Sequence, residues 1–150
     1  MIDTDEVIDC LNKLVQTCKD GEEGFETASK EAKRPDLKSL FNQLATERRQ
    51  CAAELQTMVA QYGGEYKEGG SFLGGLHRGW IDAKAALTGH DDAGIINECE
   101  RGEDAAVDTY QDMMKKELPA EVLTVISRQY DKVKAAHDKV RSLQLQESSR

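Results

Sequence analysis

Apolar residues recur at every third or fourth position along four stretches of the chain, the spacing of helices that each turn one face to a core. The first stretch, from about Asp5 to Lys33, carries Val7, Leu11, Leu14, Cys18, Phe25, Ala28 and Ala32, with Thr4 or Asp3 placed to cap its amino end. The second, from about Asp36 to Tyr62, carries Leu37, Phe41, Leu44, Cys51, Leu55, Met58 and Tyr62, and stops at Gly63 and Gly64. The third runs from about Asp92 to Leu118, and the fourth from Pro119 to about Gln146 with Val122, Ile126, Tyr130, Val133, Val140 and Leu143 on its stripe. The two prolines, Pro35 and Pro119, each stand where one helical pattern ends and the next begins.

Between Gly63 and Asp92 the pattern loosens into a long connection rich in glycine. Within it a short helix is predicted, capped by Ser71 and carrying Phe72, Leu73, Leu76, Trp80, Ile81 and Leu87, with Trp80 packed on the rest. Four helices of similar length with two tight turns and one long middle connection predict an all-α fold, a four-helix bundle of ferritin-like topology. A single domain spanning residues 1–150 accommodates all of it. The crossover makes the second and third helices parallel, and each hairpin antiparallel.

One position breaks the apolar pattern. The third stripe reads Ile96, Cys99, Glu103, Ala106, Tyr110, Met113 and Glu117, so Glu103 falls where a hydrophobe belongs. A buried carboxylate costs several kcal/mol, roughly, unless a cation, a metal or a proton compensates it. Counting outward from the tight turns at about 1.5 Å per residue brings Glu22, the pair Glu47 and Arg48, Glu103, and the stretch from Lys134 to His137 to one level of the bundle. At about 100° of rotation per residue, the inward set is Glu22, Arg48, Glu103 and His137, with Glu47, Glu100 and Gln129 as flankers.

Two readings compete for this layer. In one, Arg48 neutralises Glu22 and Glu103, and His137 completes a structural polar network that needs no cofactor. In the other, Glu22, Glu47, Glu100, Glu103 and His137 hold iron or manganese. A di-iron bundle needs Glu-x-x-His on two helices, whereas the corresponding stretches here read Glu47-Arg48-Arg49-Gln50 and Tyr130-Asp131-Lys132-Val133-Lys134. An inward arginine also repels a dication, so the sequence favours the structural network and a non-enzymatic protein.

Composition narrows the partners. A net charge of -8, from 28 acidic against 20 basic residues, opposes nucleic acid or an anionic membrane surface as a partner. No apolar run approaches the roughly 20 residues of a membrane span and the amino end lacks the basic start of a signal peptide, which predicts a cytoplasmic protein. The four cysteines, Cys10, Cys18, Cys51 and Cys99, include no Cys-x-x-Cys pair, which removes the usual zinc spacing. Cys18 and Cys51 are nearly equidistant from the first turn and face inward, so they are expected to be neighbours, as inert buried thiols.

In the crossover, His77, Arg78 and Trp80 suggest either a ligand site or an anchor in which Trp80 plugs the bundle; the anchor is favoured. An apolar patch near Trp80 also offers a third reading, a module that docks another protein. His90, beside Asp91 and Asp92, reads as a solvated helix start. No nucleophile elbow, Walker loop or dinucleotide fingerprint occurs.

The series Cys18-Lys19-Asp20-Gly21-Glu22-Glu23-Gly24-Phe25, then His77-Arg78-Gly79-Trp80, then Glu98-Cys99-Glu100-Arg101-Gly102-Glu103, and finally His137-Asp138, resembles a bacterial family of unknown function. Its members are small ferritin-like four-helix bundles, and the resemblance covers essentially the whole chain. It implies a cytoplasmic bacterial protein that self-associates, with a link to stress physiology and no established reaction, and the expected assembly is a homodimer. The departure from the di-iron pattern at Arg48, Gln50 and the fourth helix argues against iron oxidation.

Overall fold

The computed structural model describes residues 2–66 and 91–148. Four helices follow one another: α1 Thr4–Glu31, α2 Pro35–Gln61, α3 Asp92–Met114 and α4 Ala120–Ser148. Among the described residues no strand occurs, and no helix is long and apolar enough to cross a membrane. The short helix predicted around Trp80 lies outside the described residues.

Local chemistry sets the helix ends. The Asp3 carboxylate accepts the N–H of Glu6 at 2.9 Å and Asp91 accepts that of Gly94 at 2.9 Å, so two amino ends are capped by side chains. Pro35 opens α2, where a missing N–H is harmless. Gly63 ends that helix with φ at 83°, a left-handed conformation that a side chain would strain.

Contacts between the ends fix the topology. At the turn between α1 and α2, the N–H groups of Lys33 and Arg34 donate to Asp92, at the start of α3, at 2.8 and 3.1 Å. Arg34 also reaches Glu147 at the end of α4, at 3.1 Å. At the opposite end, Tyr62 after α2 donates to Glu121 near the start of α4 at 2.5 Å. One end of the bundle therefore gathers the finish of α1, the start of α2, the start of α3 and the finish of α4. Helices α2 and α3 run parallel, as a single long crossover requires.

The interior divides into two apolar clusters. Near the turn between α1 and α2, Phe25, Phe41, Ile95, Ile96 and Val140 pack together, with Phe25 and Phe41 stacked at 6.1 Å between ring centroids. Toward the other end, Leu11, Leu14, Leu55, Tyr110 and Ile126 belong to a second cluster. Between the two lies the level of Gly21, Arg48 and Glu103, where polar groups cross the bundle.

Candidate functional site

Arg48 and Glu103 are buried together, with 3% and 0% of their surfaces exposed. The guanidinium forks onto the carboxylate: Nη1 donates to Oε1 at 2.7 Å and Nη2 donates to Oε2. Burial opposes the charge on Arg48, but the carboxylate of Glu103 outweighs that penalty and the pKa of the guanidinium is raised. The guanidinium carbon also lies 5.5 Å from the centroid of the Phe25 ring, a cation over an aromatic face. Gly21 on α1 makes the room. A Cβ built there would stand 2.9 Å from Nη1 of Arg48, so only the missing side chain lets the guanidinium lie across the first helix.

A neutral network continues from the ion pair toward α4. Gln129, fully buried, donates through Nε2 to Oε1 of Glu54 at 2.7 Å and to the carbonyl of Cys51 at 3.3 Å. Its amide oxygen is left to accept, and it takes the O–H of Tyr110 at 2.8 Å. Tyr110 has then spent its one hydrogen, so its oxygen accepts the S–H of Cys18 at 3.0 Å. The Cys51 thiol is the other neighbour of the Cys18 sulfur. Interaction with Cys51 and burial push Cys18 well above the ordinary thiol range, and burial pushes Tyr110 well above the ordinary phenol range. The chain of bonds comes out at the surface where Glu54 pairs with Arg128.

Other residues expected in the layer sit elsewhere. Glu22 does not face inward; it is paired with Arg49 on α2 at 2.8 Å and lies on the flank of α1. The position turned toward Arg48 is Gly21, one residue or about 100° earlier. His137 does not join Glu103 either. The inward face of α4 is carried by Val133, Ala136 and Val140, which leaves the imidazole at the rim between α3 and α4. There Nε2 lies 2.5 Å from Asp104 and 3.9 Å from Glu100, while Nδ1 lies 3.1 Å from Asp138. Burial lowers the pKa of His137, but the bonds to Asp138 and Asp104 outweigh it and the net shift is upward. Burial and the neighbouring Asp104 carboxylate raise Glu100.

Glu47 is half-buried and lines a groove between α2 and α4, apart from the ion pair. His77, Arg78 and Trp80 lie outside the described residues, as does His90. Gln129, expected at the edge of the layer, is instead its most enclosed amide, and Tyr110, which reads as an ordinary apolar stripe residue, supplies its hydroxyl to the layer. Asp104 carries no such signal in the sequence.

The donor set tests the metal that a ferritin-like bundle implies. Both oxygens of Glu103 are bonded to Arg48, and among the described residues the groups that continue the layer are a phenol, a primary amide and two thiols, with the Glu54 carboxylate at the surface end paired with Arg128. Among the described residues, no second carboxylate and no imidazole faces Glu103. These residues do not fit a di-metal centre inside the bundle.

The close approach at Gly21 has a measurable consequence. Alanine favours a helix over glycine by about 1 kcal/mol, so Gly21→Ala ought to stabilise an unconstrained helix. Here the added methyl meets a guanidinium pinned by its carboxylate, and overpacking of that kind costs about 1–3 kcal/mol. Urea unfolding is expected to show a net loss of stability for Gly21→Ala, and a smaller loss or a gain for the same change in an Arg48→Met background.

A family model described as a domain of unknown function, DUF2383, matches residues 6–116. No curated protein matches the chain. Among solved structures, the chain is similar to the crystal structure of a two-domain protein from Anabaena variabilis ATCC 29413 that contains DJ-1/ThiJ/PfpI-like and ferritin-like domains. The two are 16% identical with a TM-score of 0.79, over 97% of this chain and 41% of that one. The chain thus spans less than half of that protein's length, and at this identity the likeness concerns the fold alone. By the extent of the family match the chain belongs to the DUF2383 family, and it folds as a ferritin-like four-helix bundle.

Proposed function

We propose that this protein is a non-enzymatic bundle protein, self-associating as a homodimer, whose polar layer sets helix register where other ferritin-like bundles hold metal. The observation that carries this reading is the bidentate pairing of Arg48 with Glu103 at the centre of the bundle. A buried ion pair adds little net stability over well-packed hydrophobes, but separating its partners leaves a charge stranded at a cost of about 3–5 kcal/mol. Sliding α2 against α3 by one turn, about 5.4 Å, would do that, so the pair penalises every register but one. The family resemblance implies self-association, a homodimer is its simplest form, and light scattering is expected to give twice the chain mass of 16.7 kDa. Protein purified without chelators is expected to contain no stoichiometric iron or manganese, by elemental analysis, and to show no iron-dependent oxygen uptake. Stoichiometric iron that disappears in Glu103→Gln would contradict the reading.

One observation favours a second reading, a divalent cation at the α3 and α4 rim. Glu100, Asp104 and His137 each offer a ligand atom, and these atoms lie within 4.8 Å of one another. Asp138 lies against Nδ1 of the imidazole and orients it, as carboxylates do behind metal-bound histidines, which leaves Nε2 for the cation. This set replaces the inward one of Glu22, Glu47, Glu100, Glu103 and His137, of which only Glu100 and His137 come together. Titration with cobalt(II) would then give visible absorption bands that are lost in His137→Gln and Asp104→Ala. Bands that persist in both variants would place the metal elsewhere.

A further inference from the structure

The thiols of Cys18 and Cys51 differ from the other two cysteines in having each other. All four are free and buried, and burial is the largest cause that pushes the thiols of Cys10 and Cys99 up. Cys18 on α1 and Cys51 on α2 belong to one buried cluster across the most extensive helix interface of the bundle, Tyr110 and Gln129 link the Cys18 sulfur to the Cys51 carbonyl, and each thiol is the largest influence on the pKa of the other. Gly21, one turn along α1 from Cys18, removes a side chain from between these two helices.

The two thiols are not equivalent. Cys18 is fully enclosed and donates to Tyr110, whereas Cys51 retains 5% exposure. A Cys51 thiolate can take the Cys18 S–H in place of Tyr110, which lowers the pKa of Cys51; burial opposes this, and the charges of Arg48 and Lys132 assist it. Lys132 lines the groove between α2 and α4, a space of about 500 Å³ that also touches Leu44 and Glu47. Cys51 follows Glu47 by one turn of α2, which places it at the end of this groove.

From this geometry we propose that Cys18 and Cys51 form a reversible intramolecular disulfide when the protein meets a hydroperoxide, with Cys51 oxidised first and Cys18 resolving it. In the first step the Cys51 thiolate attacks one oxygen of hydrogen peroxide. An S–O bond forms, the O–O bond breaks, and the departing hydroxide takes up a proton to leave as water. Cys51 is then a sulfenic acid, oxidised by two electrons, and the peroxide has been reduced. In the second step the Cys18 sulfur attacks the Cys51 sulfur, the S–S bond forms, and the S–O bond breaks. The proton released by Cys18 joins the departing hydroxide as a second water. In sum, two thiols and one hydrogen peroxide give one disulfide and two waters, and a dithiol reductant reverses the change. The disulfide ties α1 to α2 beside Arg48 and withdraws the S–H that Tyr110 accepts.

The test exposes reduced full-length protein to hydrogen peroxide, unfolds it in an alkylating agent and maps the peptides. The expected result is loss of two of the four alkylatable thiols, a Cys18 to Cys51 crosslink, and recovery of all four with dithiothreitol. In Cys18→Ser, with helix content checked by circular dichroism, dimedone should trap a sulfenic acid at Cys51. The proposal is overturned if all four thiols of the wild-type protein stay alkylatable at peroxide levels that oxidise free cysteine. It is equally overturned if the crosslink involves Cys10 or Cys99 or joins two chains, or if the trapped sulfenic acid maps to a cysteine other than Cys51. The wild-type mapping decides the matter even where a variant fails to fold.

Discussion

The bidentate contact between Arg48 and Glu103 is the constraint around which the rest of the bundle is arranged. A carboxylate with no exposed surface and an arginine almost equally enclosed are tolerable only as partners, and only when the guanidinium can reach across the core. That reach needs Gly21 on α1, where a methyl would collide with Nη1, and it needs the Phe25 face beneath the cation. It also interrupts the apolar interior, so the hydrophobic side chains form one cluster toward the α1 and α2 turn and another toward the far end. The neutral groups beside the pair, Tyr110, Gln129, Cys18 and Cys51, follow the same logic. Tyr110, Gln129 and Cys18 each have an acceptor, and among the described residues the chain comes out at the surface at Glu54.

Heights along the bundle were legible in the sequence, whereas directions around each helix were not. Tight turns allow levels to be counted, and the level count puts Arg48 level with Glu103, Glu22 level with Glu47 and Arg48, and His137 level with Glu100. The structure pairs Arg48 with Glu103, brings His137 to Glu100, and pairs Glu22 with Arg49, one residue along from Arg48. Rotation accumulates at about 100° per residue, so an error of one position turns a side chain from the core to the flank. That is what separates Glu22 from Gly21. Glycine has no hydrophobic signal, and a position that works by lacking a side chain does not register in an apolar stripe. On α4 the same one-residue ambiguity lies between Ala136 and His137, and the small apolar residue takes the inside.

Tyr110 and Gln129 show a different limit. Each looks ordinary when its own helix is read alone, a large stripe residue in one case and an edge amide in the other. Their roles depend on which donor and acceptor the neighbouring helices bring to the same level, and one-dimensional periodicity does not carry that pairing. The ferritin-like architecture, by contrast, follows from helix lengths, two tight turns and one long crossover, all of which are one-dimensional. Fold and chemistry therefore part company in this chain. The bundle is ferritin-like, while an arginine holds the carboxylate that a di-metal centre would need.

The central claim is that Arg48 and Glu103 stabilise each other. A double-mutant cycle with Arg48→Met and Glu103→Leu, read by urea unfolding, measures this directly. Each single change strands a buried charge and is predicted to cost about 3–5 kcal/mol, while the double change is predicted to cost far less than the sum and to come near neutrality. Additive losses would mean that the two residues act independently, and would contradict the account.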